Sequence, residues 1–199
     1  MNFNTNTQIP VMEHFYTLQG EGKYSGTAAY FIRLAGCDVG CHWCDVKDSW
    51  TVTKNQLIEI DDLVKTIQHT PTQIVVITGG EPLLYNLTTL CTALHQQNYR
   101  IHLETSGAYA LSGNFDWICV SPKKFKPCLK SMLEIANELK VIVYNQSDFK
   151  FAEDNALLVN HNCQLLLQPE ESKQEKMIPS IITYIKENPK WQLSLQTHK

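Results

Sequence analysis

Cys37, Cys41 and Cys44 stand four and three residues apart in the stretch C-D-V-G-C-H-W-C, directly after the apolar run Tyr30 to Leu34. Three thiols at this spacing suit a metal. A structural zinc takes four protein ligands and leaves none open, and no second Cys or His pair follows at finger spacing to complete one. Three thiolates on an iron-sulfur cluster leave one iron free, and soft thiolate ligands select for such clusters. A small molecule can be chelated on that iron and made to react, so the spacing favours catalysis over a structural metal. Spacing alone also leaves open a redox trio, or a zinc completed by His42 or by the distant Cys91.

With Trp43 just before its last Cys, the trio resembles the C-x-x-x-C-x-x-C signature of radical S-adenosylmethionine enzymes. Seven stretches then resemble, in order, the 7-carboxy-7-deazaguanine synthase family: F-Y-T-L-Q-G-E-G from Phe15, F-I-R-L-A-G-C from Phe31, V-V-I-T-G-G-E-P from Val75, E-T-S-G from Glu104, V-S-P-K from Val120, Leu167 to Pro169, and S-L-Q-T-H-K from Ser194. The resemblance implies a 4Fe-4S cluster on Cys37, Cys41 and Cys44, with S-adenosylmethionine on its open iron as the source of a 5'-deoxyadenosyl radical. It further implies conversion of 6-carboxy-5,6,7,8-tetrahydropterin to 7-carboxy-7-deazaguanine with loss of ammonia, in queuosine and related 7-deazapurine biosynthesis. A reductant such as flavodoxin or ferredoxin and a homodimer come with it.

Site residues carry over position by position. Gly79 and Gly80 lack side chains, so backbone there can approach a ligand closely, and Glu81 offers a carboxylate to a cation. In the resembling enzymes this G-G-E-P segment takes the methionine ammonium, which gives Gly80 and Glu81 that task. His42 and Trp43 in the cluster loop, Ser121, Pro122 and Lys123, and the run Gln168, Pro169, Glu170 and Glu171 match positions that hold the rest of the cofactor. Leu18, Gln19, Gly20 and Thr78 match contacts to the pterin, while Gln196, His198 and Lys199 match its C-terminal side. Arg33, a charge inside the apolar run Phe31 to Leu34, needs a partner and can pair bidentately with the substrate carboxylate.

One position departs from the family. Where members often carry Thr or Ser two residues after the last cluster Cys, as a ligand to Mg2+, this chain has Val46. Mg2+ demands oxygen ligands, so a Mg2+ cofactor is doubtful here, or Asp45, Asp48 or water replaces the hydroxyl. Two other functions are weighed against the synthase. A glycyl-radical-enzyme activase shares the Cys spacing but needs a broad docking surface and leaves Arg33, Thr78 and the closing Q-T-H-K unexplained. A non-catalytic zinc-binding module is the alternative from another class.

Composition narrows the field further. A net charge of -3 with no Lys/Arg block excludes a nucleic-acid groove, and the absence of a long apolar run excludes a membrane span. Seven Cys without a signal peptide point to a reducing cytoplasm. Cys91, Cys119, Cys128 and Cys163 lie in or beside apolar segments and read as small hydrophobes.

The elements that must position these residues alternate. Met1 to Pro10 reads as a polar terminus. Val11–Leu18 and Ala28–Leu34 read as strands flanking a turn that carries Gly20, Gly22 and Gly26. Strands follow at Gln73–Thr78, Arg100–Glu104, Trp117–Val120, Val141–Tyr144, Cys163–Leu167 and Trp191–Leu195. Helical stripes lie at Ile60–Ile67, at Leu87–Leu94 behind an Asn86 cap, at Met132–Leu139, and at Met177–Ile185, entered or broken at Pro179. Strands joined by amphipathic helices argue for an α/β fold with a parallel sheet. The 199 residues form one catalytic domain but are too few for a full (β/α)8 barrel of about 250. The expectation is a shortened, open (partial) TIM-like βα barrel of about six strands with reduced outer helices. Polar residues fall at the strand ends, including Gln19 and Glu21 after the first, and one rim is the simplest place for them.

Overall fold

The structure, a computed structural model, describes residues 7–197. Nine strands form one open sheet: β1 (Gln8–Leu18), β2 (Ala28–Leu34), β3 (Leu57–Glu59), β4 (Ile74–Gly79), β5 (Arg100–Thr105), β6 (Trp117–Val120), β7 (Glu138–Val143), β8 (Gln164–Pro169) and β9 (Trp191–Leu193). Their order is β3-β1-β2-β4-β5-β6-β7-β8-β9. From β2 to β9 every pair is parallel, whereas β1 runs antiparallel to both β2 and β3. The sheet is therefore open, as expected, but has nine strands where about six were anticipated. Six parallel strands, β2 and β4 to β8, make its body. β1 and β3 extend one edge and the three-residue β9 the other.

The helices are α1 (Ile60–Gln68), α2 (Thr88–Gln96), α3 (Lys130–Glu134), α4 (Ser147–Ala156) and α5 (Gln174–Glu187). The connection from β5 to β6 carries none, and α3 is five residues long. Period-two alternation divides each strand between two faces. Ile32 and Leu34, Val75 and Ile77, Ile101 and Leu103, and Leu139 and Val141 are buried in the main core beside Leu63, Ile67, Leu90, Leu94, Phe149 and Ile181 of the helices. Residues of the other parity face the concave side. Ala29, Phe31, Ile74 and Val76 make a small apolar cluster there with Phe15 and Tyr24, and polar residues follow toward the C-terminal ends of the strands.

Several boundaries differ from the sequence reading. The 132–139 stripe ends as helix at Glu134, and Glu138 and Leu139 open β7. The polar, acidic stretch between Tyr144 and Cys163, given no element in the sequence reading, contains α4. Residues 1–6 lie outside the described residues, but Gln8 to Pro10 are paired with β3 rather than frayed. Leu87, not Asn86, caps α2, although Asn86 Oδ1 still accepts the Thr88 N–H at 3.0 Å. Pro179 lies inside α5 without ending it. Among the described residues no helix is long and apolar enough to cross a membrane.

Candidate active site

A cavity of about 370 Å³ opens on the concave face, within the roughly 300–1,000 Å³ usual for ligand pockets. Its upper wall is the cluster loop. That loop leaves β2 through Gly36, whose φ of +98° suits glycine, and is pinned by the Gly36 N–H to Ser49 O at 2.6 Å and the Cys37 N–H to Trp50 O at 3.3 Å. Cys37, Cys41 and Cys44 all line the cavity, and the Trp50 indole N–H donates to Cys44 Sγ at 3.4 Å. Burial raises the Cys37 thiol above its usual pKa and pushes Cys41 up to about 11. These thiols stay protonated until a metal displaces the proton.

The trio fits a cluster better than a lone ion. Among the described residues no three His, Cys, Asp or Glu side chains converge as the ligands of a single metal ion would. The donor set itself, three soft thiolates, suits an iron-sulfur cluster. The fourth ligands a zinc would need are turned elsewhere. The His42 ring packs against Phe125 and Tyr144, with centroids 5.2 and 5.5 Å away, and Cys91 is buried in α2 facing Gly113.

Gly79 and Gly80 line the cavity beneath the loop. A Cβ on Gly80 would lie 2.2 Å from Gly36 O and 2.8 Å from Cys37 Cβ, and one on Gly79, where φ is +137°, 2.3 Å from Leu34 O. Only glycine lets the end of β4 close onto the cluster loop, held by the Glu81 N–H to Gly36 O at 2.8 Å. Glu81 itself is enclosed. Its carboxylate is fully buried and absent from the cavity wall. It accepts from Leu83 N at 3.1 Å, Thr105 Oγ1 at 2.6 Å, Ser106 N at 2.9 Å and the Ser106 hydroxyl. A buried carboxylate needs such donors, and here they tie G-G-E-P to E-T-S-G.

Trp43, Ser121, Lys123, Gln168, Pro169, Glu170 and Glu171 line the same cavity, whereas His42 and the buried Pro122 do not. Lys123 is no solvated surface charge. Its Nζ donates to Ser121 O at 2.8 Å and stands 5.7 Å from the Trp43 ring, and burial lowers its pKa.

On the other side stand Leu18, Gln19, Gly20, Arg33, Thr78 and Gln196. His198 and Lys199 lie outside the described residues. Glu13 takes the Arg33 Nε at 2.7 Å, and among the described residues the two terminal nitrogens have no partner. Val46 and Asp45 line the cavity and Asp48 does not. Cys119, read as a plain hydrophobe, also faces the cavity.

Gln19 and Glu21 do not sit on the rim formed by the other strand ends, because β1 runs the opposite way and Leu18 pairs with Ala28 at the start of β2. The turn 19–27 instead crosses the concave face. It is closed by the Gln19 N–H to Thr27 O at 2.8 Å and fastened to the segment after β9 by the Thr197 N–H to Gly20 O at 3.0 Å. Gln19 and Glu21 thus form a floor.

Three more residues belong to this floor: Glu104, read from the sequence as a strand-end rim residue without a ligand role, and Lys140 and Glu138, which carried no assignment. Glu104 lines the cavity and accepts from Gln19 Nε2 at 2.9 Å and Thr78 Oγ1 at 3.1 Å. Lys140 lines it too and donates to Glu21, which also accepts from Gln196 Nε2 at 2.8 Å. Burial would raise the Glu21 carboxyl, yet Lys140, with hydrogen bonds from Gln196 and Gln168, holds it down to about 2. Glu138 lies on the same face, below Lys140. The alternation Glu138, Leu139, Lys140, Val141 was the available signal; a helical reading of 132–139 concealed it.

The family model of the Radical SAM superfamily matches residues 31–132. A 7-carboxy-7-deazaguanine synthase of Flavobacterium psychrophilum is 53% identical over 191 residues, 96% of this chain and 90% of that protein. One from Synechocystis is 46% identical over 190 residues, 96% of this chain and 91% of that protein. The crystal structure of QueE from Escherichia coli aligns with a TM-score of 0.85 at 35% identity, covering 96% of this chain and 95% of that one.

Proposed function

Given that the chain belongs to the Radical SAM superfamily and, within it, to the 7-carboxy-7-deazaguanine synthases, we propose that its cavity seats S-adenosylmethionine beside 6-carboxy-5,6,7,8-tetrahydropterin and yields 7-carboxy-7-deazaguanine with loss of ammonia. The observation that carries this reading is one cavity in which the three cysteines face Arg33, Thr78, Glu104 and Glu21. Cys37, Cys41 and Cys44 would hold a 4Fe-4S cluster. Bound there with S-adenosylmethionine, it supplies hydrogen-atom abstraction, driven by single electrons from a donor such as flavodoxin or ferredoxin.

The chain's own residues then have separable tasks. The Gly79–Gly80 backbone meets the methionine end of the cofactor without side-chain interference. Ser121, Lys123 and the Gln168–Glu171 loop take the remainder, with Trp43 as a flat apolar neighbour. The free guanidinium edge of Arg33 pairs with the pterin carboxylate, its Nε fixed by Glu13. Glu21, held ionised by Lys140, and Glu104 accept from the donor-rich pyrimidine edge, and Gln19 and Thr78 orient Glu104. The Val46 side chain offers no oxygen, so Mg2+ plays a lesser part than a hydroxyl at that position would give it. A single domain over 1–199, a homodimer and a cytoplasmic location accompany the reading.

The test is anaerobic incubation of reconstituted protein with dithionite, S-adenosylmethionine and the carboxytetrahydropterin. Formation of the deazaguanine acid is expected. Cofactor cleavage without that product overturns the substrate assignment, and one zinc per chain in place of iron and sulfide overturns the chemistry.

A further inference from the structure

Below the cavity is a carboxylate to which the reaction gives no task. Glu138 opens β7 on the concave face and is 3% exposed. Its Oε2 accepts the backbone N–H of Lys23 at 3.1 Å and the Trp117 indole N–H at 3.2 Å, and its Oε1 accepts the Cys119 thiol at 3.4 Å. Burying a charge is costly unless it is paired and hydrogen-bonded, and most of these donors could have been left to a neutral acceptor. The lysine nearest to it along the strand, Lys140, is the one that grips Glu21.

Glu138 also shapes the turn above it. Gly22 has a φ of +68°, and a Cβ there would stand 2.3 Å from Glu138 Oε1. The turn passes so close to the carboxylate that no side chain fits between them. The next residue, Lys23, gives its N–H to that carboxylate, and Tyr24 drops between His102 and Trp117, with ring centroids 4.5 and 5.1 Å away. On its other flank the Gly22 N–H donates to Ser194 Oγ at 3.0 Å, and Ser194 Oγ donates to Gln168 Oε1 at 2.7 Å. A turn carrying three glycines has much conformational entropy to lose, about 1–2 kcal/mol per residue fixed. Unless the protein meets that cost in advance, the ligand must.

We propose that Glu138 is a positioning residue for the substrate pocket: it anchors the turn 19–27 from below, so that Gln19 and Glu21 are already set at the height where they meet the ligand. The proposal rests on the reading that this cavity seats the pterin acid. Glu138 does not line the cavity and acts through the Lys23 backbone N–H and the close approach of Gly22.

The experiment compares reconstituted wild type with Glu138→Ala, Glu138→Gln and Gly22→Ala, and with Ile181→Ala, a buried α5 change remote from the turn. Melting temperature, kcat, KM, and the dissociation constant of the pterin acid without reductant are measured for each. Glu138→Ala is expected to raise KM and the dissociation constant about 10-fold or more while kcat changes less. Glu138→Gln, which keeps an acceptor oxygen, should fall between it and wild type. Ile181→Ala should lose stability without moving either constant. Should Glu138→Ala fail to fold, Gly22→Ala and Glu138→Gln carry the same expectation. The proposal is overturned when the foldable turn variants bind the pterin acid within about twofold of Ile181→Ala. Wild type that binds no pterin acid defeats the reading of the cavity instead.

Discussion

Lys140 and Glu21, 119 residues apart in the chain, form an ion pair whose lysine side chain is 6% exposed and whose carboxylate is 16% exposed. The pair joins the turn after β1 to β7 across the open face of the sheet. Removing one member of a buried pair leaves the other uncompensated, at a cost of about 3–5 kcal/mol. Lys140→Met should therefore destabilise the fold by an amount in that range in urea denaturation. The double variant Lys140→Met, Glu21→Gln should recover part of the loss. Equal stability of the single and double variants would refute the coupling.

Acid stability should fall in two windows. Burial lowers the His102 pKa from 6.5 to about 4. A folded state that resists protonation is favoured above the unfolded pKa, and that advantage is lost as pH falls from about 6.5 through 4. Glu21, held at about 2 against an ordinary 4.5, adds stability that is intact above about 4.5 and disappears toward 2. Chemical denaturation across this range should show both declines. His102→Gln should flatten the upper one and leave the lower in place.

Arg33 offers a planar fork that lysine cannot copy. With its Nε already occupied by Glu13, Arg33→Lys should raise KM for the pterin acid about 10- to 100-fold, in keeping with a lost charged hydrogen-bond pair of about 1.5–3 kcal/mol. Iron content and cofactor cleavage without substrate should stay near wild type. A normal KM would remove Arg33 from carboxylate recognition.

Val46 gives a directional test. Activity of the wild type should respond weakly to Mg2+, and Val46→Thr, which restores an oxygen beside Asp45, should strengthen the response. Titration of both proteins with Mg2+ after chelator treatment measures it. Strict, tight Mg2+ dependence of the wild type would contradict the argument from the missing hydroxyl.

Much of this site was legible in the sequence because its signals are local. The cysteine spacing, the paired glycines after β4 and a charge inside Phe31 to Leu34 each state their chemistry within a few residues, and eight strands could be read from β-branched runs. The direction of β1 could not, since antiparallel pairing with β2 is a tertiary fact, and it moves Gln19 and Glu21 from rim to floor. Lys140 and Glu138 were hidden for a related reason. Met132, Leu133, Ala136 and Leu139 are spaced like a helix stripe, and the chain changes period inside that stripe. The partners of Glu81 were not legible, because Thr105 and Ser106 approach it only once β4 and β5 lie side by side.

The groups around the cavity enter from two ends of the sheet: the cysteine loop and the strand-end loops from one, the nine residues 19–27 from the other. Part of ligand choice is thereby written apart from the cysteines, while Arg33 and Thr78 share strands with the segments that would hold the cofactor. A lineage can revise the short crossing segment that carries Gln19 and Glu21 while inheriting the cysteine loop and the acid-pairing Arg33 unchanged.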